Sequence, residues 1–241
     1  VEYRFYSRPT MNDLFPEAPD MTESPLAAPP AYLSLMQSVS HELRSTFGVI
    51  SGLHSLLPLA SGEAEREDMF NRLHNNTEYA VQLFTDLEDY CAMETGPMRV
   101  EPTSFRLAGA FENVRKKMRT MLQRRNTTVL LSGDSELLVT CDEEKIRRVL
   151  KNIIFHLACM VRTQAIEIGW EKHATTWTIT IAYSGDALPG WLFMPGEEPG
   201  EQNMGRNISL LMVHRLMSLL NGEIYGGTDD GRQWISLQFP Q

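Results

Sequence analysis

Apolar residues recur in steps of three and four through the stretch 31–59, at Met36, Val39, Leu43, Phe47, Ile50, Leu53 and Leu57. That spacing puts one apolar stripe along a helix. Pro30 stands before the run, and Pro58 with Ser61-Gly62 closes it, so the helix is predicted from about Ala31 to Leu59. A second stripe, Phe70, Leu73, Thr77, Ala80, Phe84, Leu87 and Cys91, alternates the same steps and predicts a helix from Glu63 to Glu94, stopped by Thr95-Gly96-Pro97. Two heptad-patterned helices on a short connection predict an antiparallel hairpin over 31–97. One hairpin cannot cover both stripes. A second copy would complete a four-helix bundle, so a homodimer is expected.

From residue 98 the period changes. Phe105 is expected to open an amphipathic helix carrying Leu107, Phe111, Val114, Met118 and Leu122. Strands are predicted at 128–131 and 137–140, then a helix capped by Asp142 with Ile146, Val149, Leu150, Ile153, Ile154 and Leu157 on one face. Strands at 165–170 and 176–182, a glycine- and proline-rich loop over 185–204, a helix over 207–220 and strands at 223–225 and 234–239 complete the order. Helices interleaved with a mixed sheet predict a two-layer α/β sandwich over 98–241. Residues 1–30 are rich in proline and lack periodicity, and are expected to be a linker or a surface arm.

Composition narrows the function classes. With 42% apolar and 22% charged residues in 241, the chain reads as an ordinary globular protein. A net charge of −9 disfavours nucleic acid, and the basic run Arg115, Lys116, Lys117, Arg119, Arg124, Arg125 is better suited to solvating a helix face or docking an acidic partner. Cys91, Cys141 and Cys159 are odd in number and have no metal-ligand spacing, which points to a reducing compartment and no metal site. No run of some eighteen apolar residues exists to span a membrane. A cytoplasmic location is expected. The first residue is Val, which leaves open a longer parent protein bearing a sensor or a membrane part.

His41 lies off the first stripe and should face solvent at mid-helix, beside Glu42 and one turn before Ser45. An exposed imidazole beside an acid can serve as a nucleophile, because the acid keeps one ring nitrogen protonated and leaves the other free. Ser40-His41-Glu42-Leu43-Arg44, followed by an apolar helix, resembles the phosphoacceptor box of two-component sensor histidine kinases. The end of the second helix, from Phe84 to Gly96, is similar to the corresponding segment of that family. Ile146 to Ile154 resembles its asparagine-box helix, and Arg215 to Ile224 the segment after its last glycine box. The resemblance runs from about Tyr32 to Phe239. It implies a dimeric hairpin followed by an ATPase domain of the histidine kinase, gyrase and heat-shock chaperone type.

The same resemblance shows where the nucleotide chemistry departs. One turn after Asn152, the position of the magnesium-holding asparagine is His156, and the lysine three residues on is Cys159. Magnesium prefers oxygen ligands, so imidazole is a poor substitute. The adenine-binding aspartate aligns with Tyr183. Gly185 survives, but the next glycine is Ala187. In the last box Gly205 survives, while Asn207 and Ser209 replace glycines whose backbone amides would approach phosphate. Asn152, His156, Gly185 and Gly205 therefore mark a vestigial nucleotide site. His156 is expected in the core, with Tyr183 and Trp191 filling the vacated pocket.

The resemblance implies that His41 takes and donates a phosphoryl group, that Glu42 assists proton movement, and that Ser45 helps position a hydrolytic water on the receiver. Thr46 stands where a proline usually kinks the helix. The expected function is phosphotransfer between receiver-domain aspartates of response regulators, without ATP, and with magnesium supplied by the receiver. Two alternatives stay open: an active kinase with an atypical nucleotide site, and a scaffold in which His41 is incidental.

Overall fold

The computed structural model describes residues 31–96, 98–194 and 204–241, so the expected linker over 1–30 and the middle of the 185–204 loop lie outside the described residues. Helix α1 (Ala31–Leu56) passes through a single turn of 3-10 helix at Leu57–Leu59, where Pro58 sits at its start, and α2 (Glu63–Thr95) returns antiparallel to it. Thr46 does not interrupt α1. Its Oγ1 donates to the Glu42 carbonyl at 2.8 Å, bonding back within the helix where a proline would have removed a donor.

The two stripes are buried only in part. Along α1, Leu35, Val39, Leu43, Thr46 and Leu53 are covered, whereas Met36 and Phe47 are exposed. On α2 the covered residues are Tyr79, Ala80, Gln82, Leu83, Asp86 and Tyr90. Phe70, Thr77, Phe84 and Cys91, all on the expected heptad face, remain exposed in the single chain. The heptad reading missed the second face of α2 because polar groups, Gln82, Asp86 and the Tyr90 hydroxyl, anchor it.

The α/β part follows the expected order with one correction. Phe105 does not open a helix; it belongs to a short strand, β1 (Thr103–Arg106), where it faces Val139 of β3 (Leu138–Cys141) in an antiparallel pair. Helix α3 (Leu107–Arg124) begins only after it. Four residues are too few for a period-two signal to stand out, and the apolar stripe of α3 absorbed Phe105. Asp142 caps α4 (Glu143–His156) as expected, its Oδ1 accepting from the Lys145 amide at 3.1 Å. One wide turn of π-helix, Leu157–Val161, ends α4 and was not foreseen.

The main sheet runs β2-β4-β5-β7-β6, formed by β2 (Thr128–Gly133), β4 (Ala165–Lys172), β5 (Thr176–Tyr183), β7 (Arg232–Pro240) and β6 (Glu223–Asp229). Only β2 and β4 are parallel. Alternate residues Ile166, Ile168 and Trp170, then Trp177, Ile179, Ile181 and Tyr183, then Ile235, Leu237 and Phe239 are buried. They share one core with the apolar faces of α3, α4 and α5 (Ile208–Leu219), which pack side by side.

The hairpin rests against this helical layer through polar contacts. Asp86 of α2 accepts from Ser209 of α5 at 2.5 Å and from Gln82 at 2.7 Å. The Arg215 guanidinium lies 4.5 Å above the Tyr90 ring, donates to its hydroxyl at 3.1 Å and pairs with Glu94. Arg148 pairs with Asp89, and Arg124 with Glu78 at 3.0 Å. Burial pushes the Asp86 carboxyl up to about 6, against the hydrogen bonds from Ser209 and Gln82 and the charges of Lys151 and Arg148. A carboxyl raised in the folded state favours the protonated form. Its contribution is therefore complete below the unfolded value near 3.8 and is lost as pH rises through about 6. Asp86→Asn keeps an acceptor for Ser209 and carries no charge. It is expected to raise stability at neutral pH by on the order of 2 kcal/mol and to flatten the decline across that pH window. Urea unfolding at several pH values checks this; an unchanged pH profile would show that Asp86 does not titrate there.

Candidate functional site

His41 sits on the open face of α1, between buried Val39 and buried Leu43, which fix the rotation of the helix. Among the described residues its ring makes no hydrogen bond or ion pair. Ser45, one turn on, lies on the same side and is also exposed. Glu42 turns the other way. It is half-buried, and its Oε1 accepts from the Tyr79 hydroxyl of α2 at 3.0 Å. Burial, together with the Glu42 charge beside it, pushes the Tyr79 hydroxyl well above the usual phenol range, so it stays protonated and remains a donor. The tyrosine thus holds one carboxylate oxygen in a fixed place, and its ring stacks on Phe155 of α4 at 6.3 Å. Tyr79 escaped the sequence reading because it lies off the heptad stripe.

The residues expected to mark a vestigial nucleotide site are divided among three settings. Asn152 and His156 lie buried on α4. Burial and, next, the nearby charge of Arg206 push the His156 imidazole down to about 4, so it is neutral at physiological pH. Gly185 follows β5 with φ +132°, and a Cβ there would come within 2.6 Å of Val161 Cγ1, at the end of the π turn. Glycine is needed on both counts. Tyr183, fully buried at the end of β5, donates to the Asp186 carbonyl at 3.3 Å, and burial pushes its hydroxyl up to about 12. Trp191 is half-buried, edge-on to His214.

Gly205 meets the hairpin. Its amide donates to Ser38 Oγ at 2.7 Å, and a Cβ on it would lie 2.6 Å from the Ser38 carbonyl oxygen. Ser38 is one turn before His41, so the helix that carries His41 presses directly on Gly205. The structure therefore places His41 and Ser45 on one open side of α1, turns Glu42 towards α2, and joins that helix to Gly205. Asn152 and His156 remain in the core behind it. Met204 and Met212 are buried. Among the described residues no three His, Cys, Asp or Glu side chains converge as a metal site, and no helix is long and apolar enough to cross a membrane.

No family model matches the chain. Over 121 residues, 50% of the chain, it is 26% identical to Histidine kinase 5 of Arabidopsis thaliana, of which the match spans only 13%. The solved structure of histidine kinase AdeS from Acinetobacter baumannii superposes with a TM-score of 0.60 at 20% identity, over 83% of this chain and 97% of that one. Histidine kinase ThkA, solved in complex with response regulator protein TrrA, superposes with a TM-score of 0.56 at 20% identity, over 86% of this chain and 60% of that one. The hairpin followed by the mixed α/β domain has the fold of a two-component histidine kinase core.

The contact at Gly205 is testable. Gly205→Ala forces a methyl against backbone rather than a movable side chain, and is expected to cost about 1–3 kcal/mol. Amide hydrogen exchange over the turn from Ser38 to His41 should accelerate as the helix lifts. Unchanged stability and exchange would contradict the close approach.

Proposed function

We propose that this chain is a two-component phosphorelay protein in which His41 exchanges phosphoryl groups with receiver-domain aspartates of response regulators and the chain itself uses no ATP. The observation that carries this reading is the exposed His41, without a partner among the described residues, on a helix whose rotation is fixed by Val39 and Leu43. An in-line transfer needs a positioned nucleophile and charge neutralisation at phosphorus, and the receiver brings the magnesium for the latter. A ring nitrogen of His41 forms the new P–N bond as the P–O bond to the receiver aspartate breaks, and the carboxylate departs. The ring proton leaves to solvent on the open face of α1, while Tyr79 holds Glu42 on the other side of the helix. Ser45, on the same side of α1, orients water for hydrolysis of the receiver phosphate.

Three features support a domain that no longer handles nucleotide. Tyr183 fills the position of the adenine aspartate, neutral His156 is buried at the magnesium position, and Ser38 covers Gly205. The α/β domain then acts as a wall against which the receiver docks beside the hairpin. That ThkA was solved with a response regulator supports this choice of partner. The exposed apolar residues Phe47, Phe70, Val81 and Phe84 support a homodimer through a four-helix bundle.

A receiver carrying labelled aspartyl phosphate should pass acid-labile label to the wild-type chain and none to His41→Gln. Ser45→Ala should accept label normally but slow the release of inorganic phosphate from the receiver by about tenfold or more. Equal labelling of His41→Gln would remove His41 from the mechanism. Phe84→Glu, on the exposed stripe, should yield monomers by sedimentation; a persistent dimer would place the interface elsewhere.

A further inference from the structure

A cleft of about 610 Å³ opens between the hairpin and the α/β domain, beside Glu42 and Ser45. Arginines from three separate segments converge on it: Arg72 from α2, Arg125 just after α3, and Arg162 just after the π turn. Among the described residues Glu42 is the only acidic side chain in the lining, and Tyr79 already engages it. The cationic groups are weakly satisfied by the protein. Arg72 meets Asp68 only at 3.9 Å, with both side chains largely exposed. Arg125 Nη2 reaches the Asn75 carbonyl at 3.3 Å, whereas its Nε is buried without a hydrogen-bond partner, as is Asn75 Oδ1. Arg162 makes no hydrogen bond or ion pair among the described residues.

Arg162 also holds an unfavourable backbone. Its φ of 58° and ψ of 37° are left-handed, the conformation in which a helix ordinarily ends on glycine or asparagine. A long cationic side chain at such a position is retained at the expense of local stability, which points to a use for the guanidinium. Guanidinium groups are planar forks that match phosphate oxygens in pairs, and three of them converging on a partly enclosed cleft suit a group of two or more adjacent phosphates. The cleft volume lies in the range of small-molecule sites.

We propose that this cleft binds a free, small phosphorylated molecule bearing adjacent phosphates, which bridges hairpin and α/β domain one turn from His41. Of the vestigial nucleotide positions only Cys159 lines the cleft; Asn152, His156, Tyr183, Gly185 and Gly205 are absent from its lining. Because its ligand contacts α1, α2 and the end of α4 together, binding stabilises the docked arrangement. It is independent of whether His41 carries phosphate.

The test uses the intact chain and pyrophosphate as probe, followed by calorimetry and thermal unfolding at constant ionic strength. Pyrophosphate without magnesium is expected to bind saturably and to raise the unfolding midpoint. Arg162→Gly is the decisive variant, since it removes the guanidinium and relieves the backbone. Its unliganded midpoint should equal or exceed that of the wild type, while its affinity for pyrophosphate falls by about tenfold or more. Arg72→Gln should weaken binding in the same direction, and Arg119→Gln, on α3 outside the cleft, should leave it unchanged. No saturable binding at millimolar pyrophosphate, undiminished binding by Arg162→Gly, or equal binding of citrate would each overturn the proposal.

Discussion

Asp86 is a buried carboxylate held between Ser209 of one domain and Gln82 of its own helix, and the placement of the hairpin depends on it. A charge in that position is tolerated only while its hydrogen bonds are made, because an unpaired buried carboxylate is strongly disfavoured. Asp86 therefore acts as a register pin. Around it, Arg215 on Tyr90 and Glu94, and Arg148 on Asp89, repeat the same device along α2. With α2 fixed, α1 is fixed as well. Ser38 then lies on Gly205, and His41 is left on the outer face.

The same docking relates the two halves of the chemistry. In α1 the buried residues are apolar apart from Thr46, and His41 and Ser45 are exposed, so the helix can serve as a rigid mount. Across the boundary, the positions that resemble a nucleotide site are buried or covered. A neutral His156, a protonated Tyr183 and a glycine pressed by backbone form a well-packed region. Under the proposed relay, rigidity is useful: the nucleophile waits for a receiver, and no swing of the α/β domain to deliver ATP is required.

Much of this architecture was legible in the sequence because it rests on periodicity. The three-and-four steps of α1, the apolar face of α4 and the Asp142 cap each predicted their element, and His41 was placed on an open face by its position off the stripe. What the sequence concealed depends on contacts between distant residues. Phe105 reads equally well as helix or strand until Val139 is placed opposite it. Tyr79 and Glu42 are 37 positions apart, and nothing local announces their bond. The second buried face of α2 mixes Leu83 and two tyrosine rings with Gln82 and Asp86, and those polar members break its hydrophobicity pattern. The three cleft arginines come from three elements, and only the fold gathers them.

The central claim, that the chain relays phosphoryl groups through His41 without its own nucleotide chemistry, is tested most directly by calorimetric titration of the intact chain with magnesium-ATP, paired with an assay for label on His41 from labelled ATP. The account expects no heat attributable to the vestigial site and no label. Saturable binding that is lost on substituting His156 or Tyr183, together with acid-labile label at His41, would contradict it and make the chain an ATP-dependent kinase.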